Sequence, residues 1–224
     1  MTFSLLGRCA RTGRLGMVVS SSSPAVAARC AHARPGVGVA ASQNVTDPRL
    51  GRALLDALAQ GALDAQAVMD QVVAAAPHVE HRQLLLLGLS GPGAAYTGSA
   101  ALGTHGTRIG AECLAAGNLL ADEGVLDAMV AAFEAQTGWE LGDRLMRVLR
   151  AAVEAGGEAG PVYSAGLLMT GEVAWPIADL RVDWHDHPVA ELAAVWEVYK
   201  PQLDDYITRA LDPAGAPGFG VLGE

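Results

Sequence analysis

The chain has 224 residues (23.0 kDa), 51% of them hydrophobic and 17% charged, which suits one or two domains with a sizeable buried core. A net charge of −9 and a pI near 5.1 argue against nucleic-acid binding, which needs a clustered basic face. The longest compact apolar run, Leu84 to Leu89, is far below a membrane span, and three scattered cysteines (Cys9, Cys30 and Cys113) form neither a disulfide framework nor a metal knuckle, so a soluble cytoplasmic chain with reduced thiols is expected.

Thr2 to Arg8 reads as extended, Arg11 to Gly13 as a turn, and Leu15 to Ser20 as the return strand of a hairpin. Ser20 to Pro24 is a polar break before an Ala-rich stretch, and Gly36 to Ser42 is a small-residue buried strand ending in a polar turn at Gln43 and Asn44. Asp47 and Pro48 open a helix with Leu50, Leu54, Leu55 and Leu58 on one face, and a second helix runs over residues 64–75. The Leu-rich run from Arg82 fits a central strand or a short buried helix, and its flanking glycines favour the strand. Residues 94–99 and 108–116 continue extended to Gly117 and Asn118. Two amphipathic helices follow, one carrying Val125, Met129 and Phe133, the other Leu145, Val148 and Leu149. Residues 162–169 and 173–182 are the last strands, Pro188 begins a C-terminal helix, and Asp212 onward is a Gly- and Pro-rich arm. Strand runs alternating with helix pairs point to an α+β protein, a four-layer αββα sandwich of antiparallel sheets. Residues 1–211 are read as a single domain and 212–224 as an irregular arm.

Thr2 is the first candidate for chemistry. Removal of Met1, usual where threonine follows, sets its hydroxyl beside a free α-amine whose pKa of about 7.7–8 leaves a useful fraction unprotonated near neutrality. Nucleophile and base are then one residue. The plainer reading is a protein that merely begins Met-Thr.

Several short motifs accompany Thr2: ThrPheSer at 2–4, GlyMetValValSerSer at 16–21, GlyValGlyValAlaAlaSerGln at 36–43, ThrGly at 97–98, AlaGlyAsn at 116–118, GlyGly at 156–157, SerAla at 164–165 and AspLeuArgValAsp at 179–183. In these motifs the chain resembles the bacterial group called domain of unknown function 1028 (DUF1028) over roughly residues 2 to 200. That group is similar in fold to the N-terminal nucleophile (Ntn) hydrolases, proteasome-like proteins included. The resemblance implies an Ntn-hydrolase-like sandwich and amide hydrolysis without a cofactor. By the same likeness Thr2 takes the nucleophile position, with Ser20, Ser21, Ser22 and Ser23 at the end of the second strand as its polar partners. Gln43 and Asn44 fall where a turn offers an oxyanion its N–H, and Asn118 and Ser164 line the substrate side. Proteasome-like sites use a lysine, whereas the sole lysine here is Lys200 in the C-terminal helix; Arg29, His32 or Arg34 is then the replacement charge, and His105, after a turn, reaches the site.

Two further readings stay open. The serine run is equally an ordinary turn before proline, and Gln43 and Asn44 equally satisfy turn backbone. The pair His185 and His187 around Asp186 lacks further ligands and has an alternative as helix cap, so no metal is expected. Gly36, Gly38 and Ala41 lie inside a strand and are no dinucleotide fingerprint. Function is expected to be cleavage of a small linear amide or ureide by Thr2. The alternative is a non-catalytic small-molecule-binding or assembly protein on the same fold. No nucleic acid or membrane partner is expected, and a homo-oligomer, at least a dimer, is.

Overall fold

All seven residues of β1 (Thr2–Arg8) are buried, and it turns through residues 9–13 into the antiparallel, equally buried β2 (Leu15–Ser21). In this computed structural model, which describes residues 1–221, the hairpin is the centre of a six-stranded sheet. Then come α1 (Val26–Cys30), β3 (Ala31–Arg34), β4 (Gly38–Asn44), α2 (Pro48–Leu58) and α3 (Ala65–Ala75), with β5 (Arg82–Gly88), β6 (Ala94–Thr97), β7 (Gly106–Ile109) and β8 (Cys113–Asn118) after them. Helices α4 (Gly124–Glu134) and α5 (Leu141–Glu154), strands β9 (Ser164–Thr170) and β10 (Pro176–Val182), and helices α6 (Pro188–Tyr199) and α7 (Leu203–Leu211) complete the described chain. The fold is thus mixed helix and strand with two antiparallel sheets, ordered β10-β9-β2-β1-β8-β7 and β3-β4-β5-β6.

Side-chain alternation explains the buried strands. In β1, Phe3 and Leu5 join a core with Met129 and Phe133 of α4, Leu145 of α5 and Leu192 of α6, while Leu6 faces Val39 and Leu85 of the second sheet. In β5, Leu85 and Leu87 face the first sheet and Leu84 and Leu86 face Leu54 of α2 and Met69 of α3. A strand covered on both faces needs apolar residues at every position, which is why this run shows no period of two.

The helix start at Asp47 is as expected: its carboxylate accepts the Arg49 N–H at 3.0 Å, with Pro48 in the first turn. Three expectations change. β4 runs on through Gln43 and Asn44, which pair with Gln83 and Arg82 of β5, so the polar turn expected there is strand. The extended run over residues 108–116 is broken by a turn whose Gly110 N–H bonds the Cys113 carbonyl at 2.8 Å, making it a hairpin of β7 and β8. Beyond Tyr199 the chain passes through a short 3-10 turn into α7, a helix not foreseen; of the expected arm, residues 222–224 lie outside the described residues.

Candidate active site

The register places four polar side chains in a row across the first sheet. Thr2 pairs with Asn118 of β8, the Phe3–Ser20 pair sets Ser21 at Thr2's level on β2, and Ser21 pairs with Ser164 of β9. All four are buried. Residues opposite one another on adjacent strands project to the same side. That side is the one facing the second sheet, because Ser4, two residues along β1, donates to Gln43 Oε1 of β4 at 2.6 Å.

The row is held from both ends. Thr2 Oγ1 lies 3.4 Å from Ser21 Oγ and in hydrogen-bond contact with the Met1 carbonyl, and Ser21 Oγ also accepts the Ser23 N–H at 3.0 Å. Ser164 Oγ accepts the Val26 N–H at 3.2 Å and donates to the Ser23 carbonyl at 2.6 Å, tying the turn after β2 to β9. Under the row is a floor of amides. Gln43 Nε2 donates to Gln83 Oε1 at 2.8 Å, and Gln83 Nε2 faces Thr97 Oγ1 and the carbonyls of Gly106 and Gly117, each at 3.1 Å. Asn118 Nδ2 donates to the same Gln83 Oε1 at 3.3 Å.

A buried carboxylate lies just beyond the row, next to Ser22. Both oxygens of Glu158, on the connection between α5 and β9, lie 3.2 Å from the Ser22 nitrogen and accept its N–H. Burial pushes this carboxyl up, to about 7, against the opposing pull of the chain's α-ammonium and the Ser22 N–H.

Thus Thr2, Ser21, Asn118 and Ser164 come together, with Gln43 directly beneath. Ser22 and Ser23 contribute main-chain groups at the rim, and Ser20, on the opposite face of β2, donates to the Ser164 carbonyl at 2.9 Å. Asn44, at φ +70°, spans His81 O and the Leu102 N–H, and His105 is bound to Gly103 O at 2.7 Å in the loop whose Leu102 and Thr104 carbonyls accept the N–H groups of Leu119 and Leu120. His32 lies on the outer face of β3 against Gly51 of α2, where burial lowers its pKa. Arg29 caps the Pro24 and Ala25 carbonyls, and Arg34 pairs with Asp56. Lys200 pairs with Asp143 and Glu197, sharing a small cavity with Arg14 and Met169 at the other end of β2 and β9, six residues or about 20 Å along the strands from the row.

Sequence reasoning missed Gln83 and Glu158. Each carried a signal: Gln83 is a polar residue inside an apolar strand run, and Glu158 is an acid directly after the glycine pair 156–157. A cavity of about 720 Å³ between α5 and the start of α6 is walled by Val153, Val162 and Val189 and includes no member of the row. In the 185–187 segment, His185 Nδ1 accepts the His187 N–H at 3.0 Å, so the expected cap of α6 by Asp186 is replaced by His185 bonding within the turn. No helix among the described residues is long and apolar enough to cross a membrane.

A family model described as "Family of unknown function (DUF1028)" matches residues 2–192. The crystal structure of a DUF1028 protein from Silicibacter pomeroyi is similar to this chain at a TM-score of 0.84 and 29% identity, covering 92% of this chain and 89% of that one. The Gly-1 mutant of Anbu from Hyphomicrobium sp. strain MC1 gives a TM-score of 0.48 at 11% identity, covering 99% of this chain and 100% of that chain. Anbu (ancestral beta-subunit) from Yersinia bercovieri gives 0.40 at 10%, covering 98% and 100%. No curated protein matches.

Proposed function

The chain belongs to the DUF1028 family, and from that premise we propose that it is an Ntn-type amidohydrolase on a four-layer αββα sandwich, cleaving the C–N bond of a small linear amide or ureide with Thr2. The observation that carries this reading is the buried row Ser164–Ser21–Thr2–Asn118, which holds a threonine at the head of a central strand among hydrogen-bonding neighbours. Removal of Met1 gives Thr2 its base. The Thr2 hydroxyl then attacks the carbonyl carbon while its proton passes to the α-amine; the tetrahedral intermediate expels the amine product, which takes that proton. Water, deprotonated by the same α-amine, releases the acid and restores Thr2. Ser21 orients the hydroxyl, and Asn118 and Ser164 face the substrate. The oxyanion donor expected at Gln43 and Asn44, the last two residues of β4, is main-chain, since both ends of the Gln43 amide and both ends of the Asn44 amide are engaged. Ser22 and Ser23 shape the rim and His105 stands in the adjoining loop, whereas Ser20, on the opposite face of β2, and His32, turned to α2 on the far side of the second sheet, lie apart from the row and lose the substrate-binding role expected of them.

The test is activity of untagged protein whose intact mass shows loss of Met1. Thr2→Ala and a retained N-terminal extension each abolish turnover with the fold intact, while loss of a single oxyanion donor costs about 10² to 10³ in rate. Equal turnover by the processed protein and Thr2→Ala overturns the mechanism. A non-catalytic binding or assembly role is the second reading, and the position of Lys200, far along the strands from Thr2, favours it; ligand binding without turnover by processed protein is its signature. A cytoplasmic location and assembly into at least a dimer belong to the same proposal. Exposed Val195 and Val198 on α6 support the assembly, and light scattering that reports a monomer at micromolar concentration contradicts it.

A further inference from the structure

We propose that Asn118 and Glu158 are the positioning residues that cradle the α-amine of Thr2, Asn118 through its carbonyl oxygen and Glu158 as counter-ion. The inference rests on the reading of Thr2 as the chain's working N-terminus and adds what holds its base in place.

Donor accounting leads to it. As a peptide nitrogen Thr2 offers one N–H; as a free ammonium it offers three, so a buried site must supply two further acceptors. The first is Asn118 Oδ1. The amide floor fixes its orientation: Ser4 donates to Gln43 Oε1, Gln43 Nε2 to Gln83 Oε1, and the Gln83 amino group is turned to Thr97 and two carbonyls. Gln83 Oε1 therefore faces Asn118, and only the amino side of Asn118 can meet it, at 3.3 Å. Oδ1 is left buried with no hydrogen-bond partner among the described residues, on the side chain paired with Thr2 across the ladder.

The second acceptor is Glu158. Ser22 is the next residue beyond Thr2's level on β2, and Leu119 and Leu120 continue β8 beyond Asn118. Glu158 takes the Ser22 N–H with its carboxylate, forms a backbone bridge with Leu120, and is followed by Ala159, whose N–H bonds the Leu119 carbonyl at 2.9 Å. The carboxylate thus lies across the end of β1, between the prolongations of the two strands that flank it. One N–H leaves most of its acceptor capacity unused. In the chain that still carries Met1, the Met1 α-ammonium, one residue before Thr2, already favours the ionised form of this carboxyl.

Lys200 is the only lysine, so a chain beginning at Thr2 has two amines and the second is an internal reference. The experiment uses such a chain, released from a cleavable N-terminal fusion, with trace acetic anhydride as probe between pH 6 and 10 and mass spectrometry of both amines as readout. The wild-type α-amine should titrate above its ordinary range of about 7.7–8.0. Glu158→Gln should raise its labelling at pH 7.5, relative to Lys200, by about tenfold, the low end of what a lost neighbouring charge produces. Asn118→Ala should raise it less, and Glu158→Asp should fall between wild type and Glu158→Gln. An α-amine titrating at or below the ordinary range in the wild type, which needs no variant to fold, overturns the proposal; so does unchanged labelling in a folded Glu158→Gln protein. Labelling is read without substrate. Turnover that survives Thr2→Ala would sink the nucleophile and leave this result standing, whereas a normal α-amine with Thr2-dependent turnover would do the reverse.

Discussion

Glu158 links the site to stability. Its carboxyl titrates near 7 in the folded chain and near 4.5 in the unfolded one, so the folded state prefers the proton. The resulting stabilisation is complete below about pH 4.5 and is lost as pH rises through about 7. The unfolding free energy of wild type relative to Glu158→Gln should therefore fall between pH 5 and pH 8, by no more than about 3 kcal/mol, in urea titrations. A difference independent of pH would show that the carboxyl is not held in this state. Thr2 was readable as a candidate from its hydroxyl at the head of an apolar strand run, and Ser21, Asn118 and Ser164 through the resemblance of their motifs to the family. Gln83 and Glu158 were not, because their roles depend on partners 40 and 136 residues away, Gln43 and Ser22.

Helix ends and helix packing respond to single atoms. The Arg49 side chain and N–H hold Asp47 down to about 2, so the cap on α2 persists above about pH 3.8 and is lost as pH falls through about 2. Asp47→Ala should cost about 1 kcal/mol at neutral pH, measured by urea unfolding. Gly142 of α5 has the opposite constraint: a Cβ there would lie 2.1 Å from Trp196 Cζ2 of α6. Gly142→Ala gains about 1 kcal/mol of helix propensity but forces the indole aside at about 1–3 kcal/mol, so net destabilisation is expected. Adding Trp196→Leu should remove the clash penalty in a double-mutant cycle. Element types were legible from period and capping residues. The β7–β8 turn and α7 were missed although Gly110 and Pro201 mark the two breaks, because a single glycine or proline does not by itself tell a turn from a continuing element.

Three cores, not one, hold the molecule: beneath α4, α5 and α6, between the sheets, and beneath α2 and α3. Neighbouring leucines of β5 belong to different cores, which makes them separable. Leu85→Ala opens a void between the sheets and Leu84→Ala one under α2 and α3. Each should cost about 2–5 kcal/mol. Amide exchange distinguishes them: Leu84→Ala should loosen α2 and α3 while sparing β1, and Leu85→Ala should loosen both sheets.

Order and type of most elements, the apolar strands, the Asp47 cap and Thr2's place at the head of a strand came from the sequence alone, because they depend on local pattern and on residues close in the chain. The row across the first sheet, the amide floor and the carboxylate beyond β1 were decided by tertiary structure. Strand register brings residues 2, 21, 118 and 164 to one level, and only the approach of the second sheet turns Gln43 and Gln83 into their floor. The physical reason is that backbone pairing and burial act between residues distant in sequence, and a polar residue's role is set by which groups compete for its hydrogen bonds.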